Sequence, residues 1–481
     1  MSEPVAPVAY PEVLADAPAA GPAGLLAELA ARAITVDTDA RTRAEHARDW
    51  WPPAIPEAAA GRVERWPGAV ARPRTSEEVA AVLAACARHH VALSPQGGRS
   101  GVVDGATPVS GGLALDLTGL DRVLAIDPVA QLVRVEAGVF GPDLEAALEP
   151  HGLTAGHFPQ SFEISTVGGW VSCRGAGQFS TRYGKIEQRV RGLRVALLDG
   201  RLIELDARGP HPAAGPDLVG LFVGAEGTLG VITEVTLALT RRARHRASAA
   251  RLFASFDEGL EACRRVVQRG AHPAVLRLYD EAESRRSFGL EGCALVVLDE
   301  GDEGLVEATL AVVVEECARA ERLDESVVAT WLERRNDVSA LAALWGAGVV
   351  VDTIETVAPW SVLGPLARDV RATLEAVPGT IVASVHQSHA YEDGACLYFT
   401  FAGRPPGDAR AFHRAAWDAA LDAIVAAGAA LSHHHGVGRQ RVAHFVRASG
   451  AAHELLVGLK ALVDPEGLLN PGVLGLGRAD R

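Results

Sequence analysis

Three short segments of the first half of this chain are dense in glycine: residues 94–105 (SPQGGRSGVVDG), 165–184 (STVGGWVSCRGAGQFSTRYG) and 223–237 (VGAEGTLGVITEVTL). Glycine lets backbone N–H groups approach and cradle a phosphate with no Cβ in the way. Any one such loop also suits a tight turn. Three in one half favour a long, extended ligand held by loops over three coincidental turns. A dinucleotide-binding Rossmann fingerprint must open a helix, whereas Val102, Val103 and Thr107-Pro108 lead into further strands, and no GxxxxGK[ST] occurs. Neither NAD on that fold nor ATP on a Walker loop is indicated.

Composition narrows the partners. The 481 residues carry 46 Lys plus Arg against 60 Asp plus Glu, a formal charge of −14, so nucleic acid is excluded as a general partner. Hydrophobic residues at 48% and charged residues at 22% describe an ordinary folded chain of two or three packed units. Cys86, Cys173, Cys263, Cys293, Cys317 and Cys396 stand singly, without a CxxC pair, which fits a reducing cytoplasm. The N-terminus lacks a basic stretch followed by an apolar core, and nowhere do about 18 apolar residues run uninterrupted, so a soluble, unexported protein without a transmembrane segment is expected.

Residues 1 to about 22 are rich in Ala and Pro and read as a flexible leader. TSEEVAAVLAACARHH from Thr75 has a hydroxyl cap, acids in the first turn and apolar residues at helical spacing, which predicts a helix. LALDLTGL and LVRVEAGV read as strands. LRVALLDGRLIELD reads as a hairpin in which Asp199-Gly200 makes a type I′ turn. RRARHR, residues 241–246, reads as a solvated linker at a domain boundary near 241. Beyond it, helices such as FDEGLEACRRVVQ alternate with strands such as CALVVLDE and ACLYFTFAG. No fixed-period repeat is apparent.

In that second half Arg277, Tyr398 and the run His433, His434, His435 stand out. Taken alone, an Arg in a surface pair, a Tyr in a strand and histidines before Gly436 are plain alternatives. Three adjacent imidazoles titrate near neutrality; in an extended chain His433 and His435 share one side and His434 faces the other. His386 and His389 would be the further ligands a zinc site needs, an alternative kept open although no metal is assigned.

The order of these motifs resembles the flavoproteins of the vanillyl-alcohol oxidase type, most closely the alkyldihydroxyacetonephosphate synthase branch and its bacterial FAD-binding relatives, over residues 45 to 475. The family's PxGGGTS pyrophosphate loop is matched by Pro95, Gln96, Gly97, Gly98, Arg99, Ser100 and Gly101, with Arg99 in place of the third glycine and Gly101 in place of the final serine. Its DSLEFSTVGGW segment appears as Gln160 to Trp170, and its EGTLGVI is intact from Glu226 to Ile232.

The resemblance implies an α+β fold: a two-subdomain FAD-binding domain of this type plus a cap domain with an antiparallel sheet and helices. The division expected is 1–45 for the leader and first helix, 46–241 for the FAD domain, 242–425 for the substrate (cap) domain and 426–481 for a C-terminal segment returning to the flavin. Implied cofactor contacts are Pro95 to Gly101, Gln160, Ser161, Ser165, Thr166, Gly168, Gly169, Cys173, Arg174, Gly175, Ala176, Glu226, Gly227, Thr228, Leu229, Gly230, Val231 and Ile232. Some relatives attach the flavin to a histidine where Arg99 stands, so non-covalent FAD is implied.

The family's catalytic set corresponds to Arg277, Tyr398, His433, His434 and His435, and the substrate would meet Arg277, His386 and Arg335. Two departures matter. The family's phosphate-binding arginine falls on Leu341, and the arginine in the strand before the active tyrosine falls on His386; Arg335 or Arg334 is the available substitute. The tail VDPEGLLNPG, residues 463–472, looks more like that of flavin-linked 2-hydroxy-acid dehydrogenases, whose Glu-His-Gly run holds a metal, yet here His434 takes the glutamate's place.

The expected function is therefore an FAD-dependent oxidoreductase that takes a hydride from a hydroxylated small or lipid-like substrate onto flavin N5. The alternative is alkylglycerone-phosphate synthesis, which exchanges an acyl for an alkyl group in ether-lipid metabolism. A non-catalytic flavin sensor is disfavoured by the proton-transfer groups. A homodimer is compatible with all three.

Overall fold

The computed structural model describes residues 17–206, 209, 213, 215–336, 344, 345 and 347–477. Most of the leader, residues 1–16, and Leu341 lie outside the described residues.

Two small sheets make up the first half. Strands β1 (Thr35–Asp37), β2 (Ala69–Arg72), β3 (Leu93–Gln96) and β4 (Leu113–Asp116) form a sheet of order β1-β2-β4-β3, with β4 parallel to both β2 and β3. Strands β5 (Val123–Asp127), β6 (Leu132–Glu136), β8 (Val190–Ala196), β9 (Leu202–Asp206) and β10 (Val231–Ala238) form an antiparallel sheet of order β5-β6-β10-β8-β9. A two-residue strand, β7 (Leu153–Thr154), pairs outside it with β11 (Thr240–Arg241).

The expected helix spans Ser76–His89, because the Thr75 hydroxyl accepts from Glu78 N at 3.1 Å and His90 takes a left-handed cap at φ +53°. Its apolar stripe, Val79, Val82, Leu83 and Cys86, packs against Leu93, Leu113 and Leu115 of the first sheet and Ala196 and Val231 of the second. One helix thereby ties the two sheets together.

The hairpin forms between β8 and β9, but its turn is not type I′. Among its turn residues only Gly200 takes positive φ, at +87°; Gly200 N bonds Leu197 O, and Leu197 N bonds Arg201 O. That is the wider loop, a turn closed by a left-handed glycine at a bulge, which leaves Asp199 free to accept from Arg201 N at 3.0 Å. The basic run is largely solvent-exposed, as expected, but its two ends lie in strands. Arg241 lies in β11, and His245 opens β12 (His245–Phe253), where Arg246 pairs with Glu300 and His245 with Glu307.

The second half is built on one antiparallel sheet. With β13 (Val275–Tyr279), β14 (Cys293–Gly301), β15 (Glu321–Leu323), β16 (Val350–Pro359), β17 (Thr380–Ala390) and β18 (Gly394–Gly403), its order is β15-β12-β14-β13-β17-β18-β16. Helices Phe256–Gln268, Trp360–Glu375 and Ala409–Ala426 cover one face. Alternation along the strands sends Leu276, Leu278, Val385, Leu397, Phe399 and Ile354 into that helix layer. It leaves Arg277, Tyr279, His386, Tyr398 and Glu355 on the opposite face.

Register then aligns the polar residues. Tyr279 lies opposite His386, His386 opposite Tyr398, and Tyr398 opposite Glu355, a row across four strands. Among the described residues no helix is long and apolar enough to cross a membrane, and all six cysteines are unpaired.

Phe399 is fully buried behind this row. Phe399→Ala is expected to cost about 3–5 kcal/mol in urea unfolding; a loss below about 1 kcal/mol would show that the helix layer does not support the sheet.

Candidate active site

A cavity of about 1120 Å³ lies between the glycine-dense loops and the polar row of the large sheet. Its wall includes all seven residues of Pro95–Gly101 and, from the other two segments, Ser165, Thr166, Gly168, Gly169, Cys173, Gly175, Ala176, Glu226, Gly227 and Gly230 to Ile232. The backbone N–H groups of Gly97 to Gly101 donate to no protein acceptor among the described residues. Such a run of free donors suits an anion like a pyrophosphate.

The loop is laid so closely on residues 164–166 that a Cβ on Gly97 would overlap the Thr166 hydroxyl and one on Gly98 the Ile164 carbonyl. Arg99 keeps a left-handed backbone, φ +53°, where the resemblance puts a third glycine. These features fit a dinucleotide cofactor.

Tyr398 is the centre of the opposite wall. Its hydroxyl lies 2.7 Å from His435 Nε2 and 3.0 Å from His434 Nε2. His434 Nδ1 lies 2.8 Å from His433 Nδ1, and His433 Nε2 lies 2.8 Å from the Tyr391 hydroxyl. At the far end His435 Nδ1 faces Glu355 at 3.6 Å.

Burial drives His433 and His434 well below the usual imidazole value and Tyr398 well above the usual phenol value, so all three are neutral. Burial would raise Glu355, but Arg441, His435 and the His433 N–H outweigh it and hold the carboxyl below its ordinary value. An ionised carboxylate only accepts. One direction of donation then runs through the chain: Tyr391 O–H to His433 Nε2, His433 Nδ1–H to His434 Nδ1, His434 Nε2–H to the Tyr398 oxygen and Tyr398 O–H to His435 Nε2, with His435 Nδ1 facing Glu355 at 3.6 Å, beyond hydrogen-bond reach.

The histidine run is bent, not extended. Glu355 accepts from the backbone N–H groups of both His433 and His435, the latter at 3.0 Å, which folds the run around the carboxylate. His434 and His435 consequently share the Tyr398 side, and His433 turns away from the cavity. This reverses the pairing expected for an extended chain.

Arg277 forms a second cluster. Its Nη2 donates to His386 Nε2 at 2.5 Å, so Nδ1 carries the His386 proton and gives it to Glu283 at 3.1 Å. His386 stacks on Tyr398 with centroids 5.0 Å apart. Arg335 lines the cavity 5.1 Å over the Phe179 ring and donates to Gln178 Oε1 at 2.5 Å. His389, His433 and His434 offer ring nitrogens within 4.8 Å of one another, a grouping without His386. Those of His433 and His434, and His389 Nδ1, already have hydrogen-bond partners.

Residues 67–206 match the FAD binding domain family, and residues 242–474 the C-terminal domain of FAD linked oxidases. An FAD-linked oxidoreductase of Mycobacterium tuberculosis is 30% identical over 428 residues, covering 85% of this chain and 91% of that one. The chain belongs to the FAD-linked oxidase family. This protein is an enzyme, and its cofactor is FAD. It is also 29% identical over 455 residues to alkyldihydroxyacetonephosphate synthase of Caenorhabditis elegans, covering 84% of this chain and 75% of that one. A solved alkyldihydroxyacetonephosphate synthase superposes with a TM-score of 0.80 at 24% identity, covering 95% of this chain and 86% of that one, which fixes the α+β fold as the vanillyl-alcohol oxidase type.

Within this FAD-linked enzyme most of the expected site residues meet at the cavity, including Gln160, Ser161, Arg277, His386, Tyr398, His434 and His435. Four do not reach it. Arg174 is exposed beneath Gly224, Thr228 is buried with its hydroxyl on Ala225 O, Leu229 packs in the core, and His433 points to Tyr391.

Sequence reading missed Glu355, Glu283 and Asn470. Glu355 had a signal, an acid amid the apolar alternation of TIETVAP. His389, considered from sequence only as a zinc ligand, enters the site through a β-bulge at φ +51°. Asn470 of the tail donates to Gly105 O at 2.9 Å and Glu226 O at 2.8 Å, which draws the C-terminal segment onto the cofactor loops.

Glu226 makes a pH-dependent clasp there, accepting from Val437 N at 2.7 Å and Gly438 N at 2.9 Å. Burial pushes its carboxyl up from 4.5 to about 7. The fold therefore holds this proton more tightly than the unfolded chain, a contribution complete below pH 4.5 and lost as pH rises to about 7. Glu226→Gln, which cannot ionise, is expected to flatten the decline in Tm across that window; a profile parallel to wild type would refute this.

Proposed function

We propose that this flavoenzyme oxidises a hydroxylated small or lipid-like substrate. The observation that carries the reading is the Tyr398 hydroxyl in the cavity wall, donating to a neutral imidazole that is itself backed by a buried carboxylate. Bound FAD supplies the hydride acceptor. The protein's part is the proton. A substrate hydroxyl gives its proton to the Tyr398 oxygen as Tyr398 passes its own to His435 Nε2, and Glu355 stabilises the resulting imidazolium. Arg277, held by His386, orients a polar or anionic group of the substrate.

The alternative, exchange of an acyl for an alkyl group on a phosphate-bearing substrate, is supported by the likeness to alkyldihydroxyacetonephosphate synthase. Glu283 weighs against it. Burial would raise this carboxyl, but His386, Arg286 and Arg277 hold it below its ordinary value. The ionised Glu283 carboxylate offsets part of the positive charge of Arg277 and Arg286 beside His386, where the resemblance calls for an arginine. Non-covalent FAD follows from Arg99 standing in the attachment position, and a cytoplasmic location is proposed from the six unpaired cysteines.

Anaerobic mixing with 2-hydroxy acids, primary alcohols and acyl-dihydroxyacetone phosphate, followed at the flavin absorbance, tests the reading. Lasting bleaching by a hydroxylated compound is expected, and Tyr398→Phe should slow it by about 10²–10⁴-fold. Recovery of the band with release of fatty acid, seen for the acylated phosphate alone, would overturn the oxidoreductase reading in favour of the synthase. Acid denaturation is expected to release all the flavin to the supernatant; flavin retained on the chain would refute non-covalent binding.

A further inference from the structure

His389 stands on the cavity wall that carries Tyr398, across from the cofactor loops, and the proposed oxidation leaves it without a role. Its ring lies against those of His433 and His434, with centroids 4.9 and 5.1 Å away. Its Nδ1 lies 2.6 Å from Ser180 Oγ. Its Nε2 has no hydrogen-bond partner among the described residues and is not sealed off, so this nitrogen opens on the cavity that the residue lines.

The ring is placed from outside the sheet. The short helix Ser180–Tyr183 packs on β17 and brings two hydroxyls to it. Ser180 holds the imidazole, and Thr181 Oγ1 accepts from Ala390 N at 3.0 Å, next to the bulge that turns position 389 toward the site.

Burial, with Arg277 and Lys185 adding to it, drives this imidazole well below its usual value, so the ring is neutral, with one N–H donor and one acceptor. Ser180 decides which nitrogen is which. Its buried hydroxyl has one hydrogen and two neighbours, His389 Nδ1 and the Tyr391 hydroxyl at 3.4 Å, and Tyr391 gives its own hydrogen to His433. Both contacts of Ser180 are hydrogen bonds only when His389 Nδ1–H donates to Ser180 and Ser180 O–H to Tyr391. His389 Nε2 is then a bare acceptor on the cavity side, next to the His434 ring that bonds Tyr398.

We infer that His389 Nε2 accepts a hydrogen bond from a second hydroxyl of the substrate, close to the one that Tyr398 deprotonates, and that the enzyme therefore acts on a diol or polyol. The inference rests on the proposed oxidation for the first hydroxyl and on this imidazole for the second. A bare acceptor selects against an analogue with nothing to donate, because the acceptor is then left unpaired.

The test uses the full-length holoprotein and compounds that differ by a hydroxyl: ethanol with ethylene glycol, propanol with propylene glycol and glycerol, and a long-chain alcohol with its vicinal diol. Anaerobic bleaching of the flavin gives a rate and a half-saturating concentration in wild type, His389→Phe, His389→Leu and His389→Gln, with FAD content and thermal midpoint recorded alongside. Each diol is expected to exceed its mono-alcohol partner about tenfold or more in the ratio of rate to half-saturating concentration, the worth of one hydrogen bond. That preference should vanish in the Phe and Leu variants and survive in part in the Gln variant, whose amide oxygen accepts. Because it compares two compounds on one protein, a variant that is merely loosened lowers both and leaves the preference standing. Equal treatment of diol and mono-alcohol by wild type overturns the inference, and so does a wild-type preference in whichever apolar variant folds. A lower FAD content with the preference intact gives the nitrogen to the cofactor and overturns it too. If diols perturb the flavin band without bleaching it, and the apolar variants lose that response, the contact stands and the oxidation fails. If mono-alcohols bleach the flavin as well as diols do, the oxidation stands and the contact fails. Silence towards every diol overturns the inference.

Discussion

The carboxylate of Glu355 organises this site. It is fully buried at the centre of a β-strand and faces Arg441, itself fully buried, at 3.1 Å. Neither charge is tolerable alone in such surroundings, and removing one partner from a pair of this kind is costly. Around the pair, backbone N–H groups of His433 and His435 and the Ser432 hydroxyl converge on the carboxylate, and Arg441 donates to Leu431 O. The result is a rigid loop carrying three imidazoles, set against Tyr398 from the neighbouring strand.

The rest of the active face follows from strand register. Four adjacent strands each contribute one polar residue at the same level, while their apolar neighbours face the helices behind. The cofactor loops come from the other half of the chain, yet the C-terminal tail returns to them: Leu93 N bonds Leu468 O, and Asn470 N bonds Leu93 O. Cofactor and proton-transfer groups are thereby held in one frame by hydrogen bonds far apart in sequence.

Much of this was legible in the chain itself. Glycine-dense loops announce a bound ligand because close backbone approach needs missing Cβ atoms, and a capped amphipathic helix announces itself by spacing. What was not legible depends on long-range contacts. The bend of residues 433–435 is imposed by a carboxylate on a strand nearly 80 residues earlier. Arg174, Thr228 and Leu229 lie inside matching motifs, yet motif membership does not say which side of the backbone faces a cavity. The basic run at 241–246 is solvated, but its pairing with Glu300 and Glu307 was not legible because those partners are distant in sequence. The turn after β8 carried the right two residues for one geometry and adopted another, because a left-handed glycine alone suffices to close the wider loop.

The bulge at His389 couples heredity to chemistry. One extra residue in β17 brings that imidazole to the ring contacts with His433 and His434, 4.9 and 5.1 Å between centroids. Deleting a single residue there would restore regular pairing and rotate the position toward the helix layer, whereas exchanging His389 for another side chain would leave the strand untouched. In a lineage of such enzymes, therefore, a change of length at this point rewrites the site in one step, and a change of letter only retouches it.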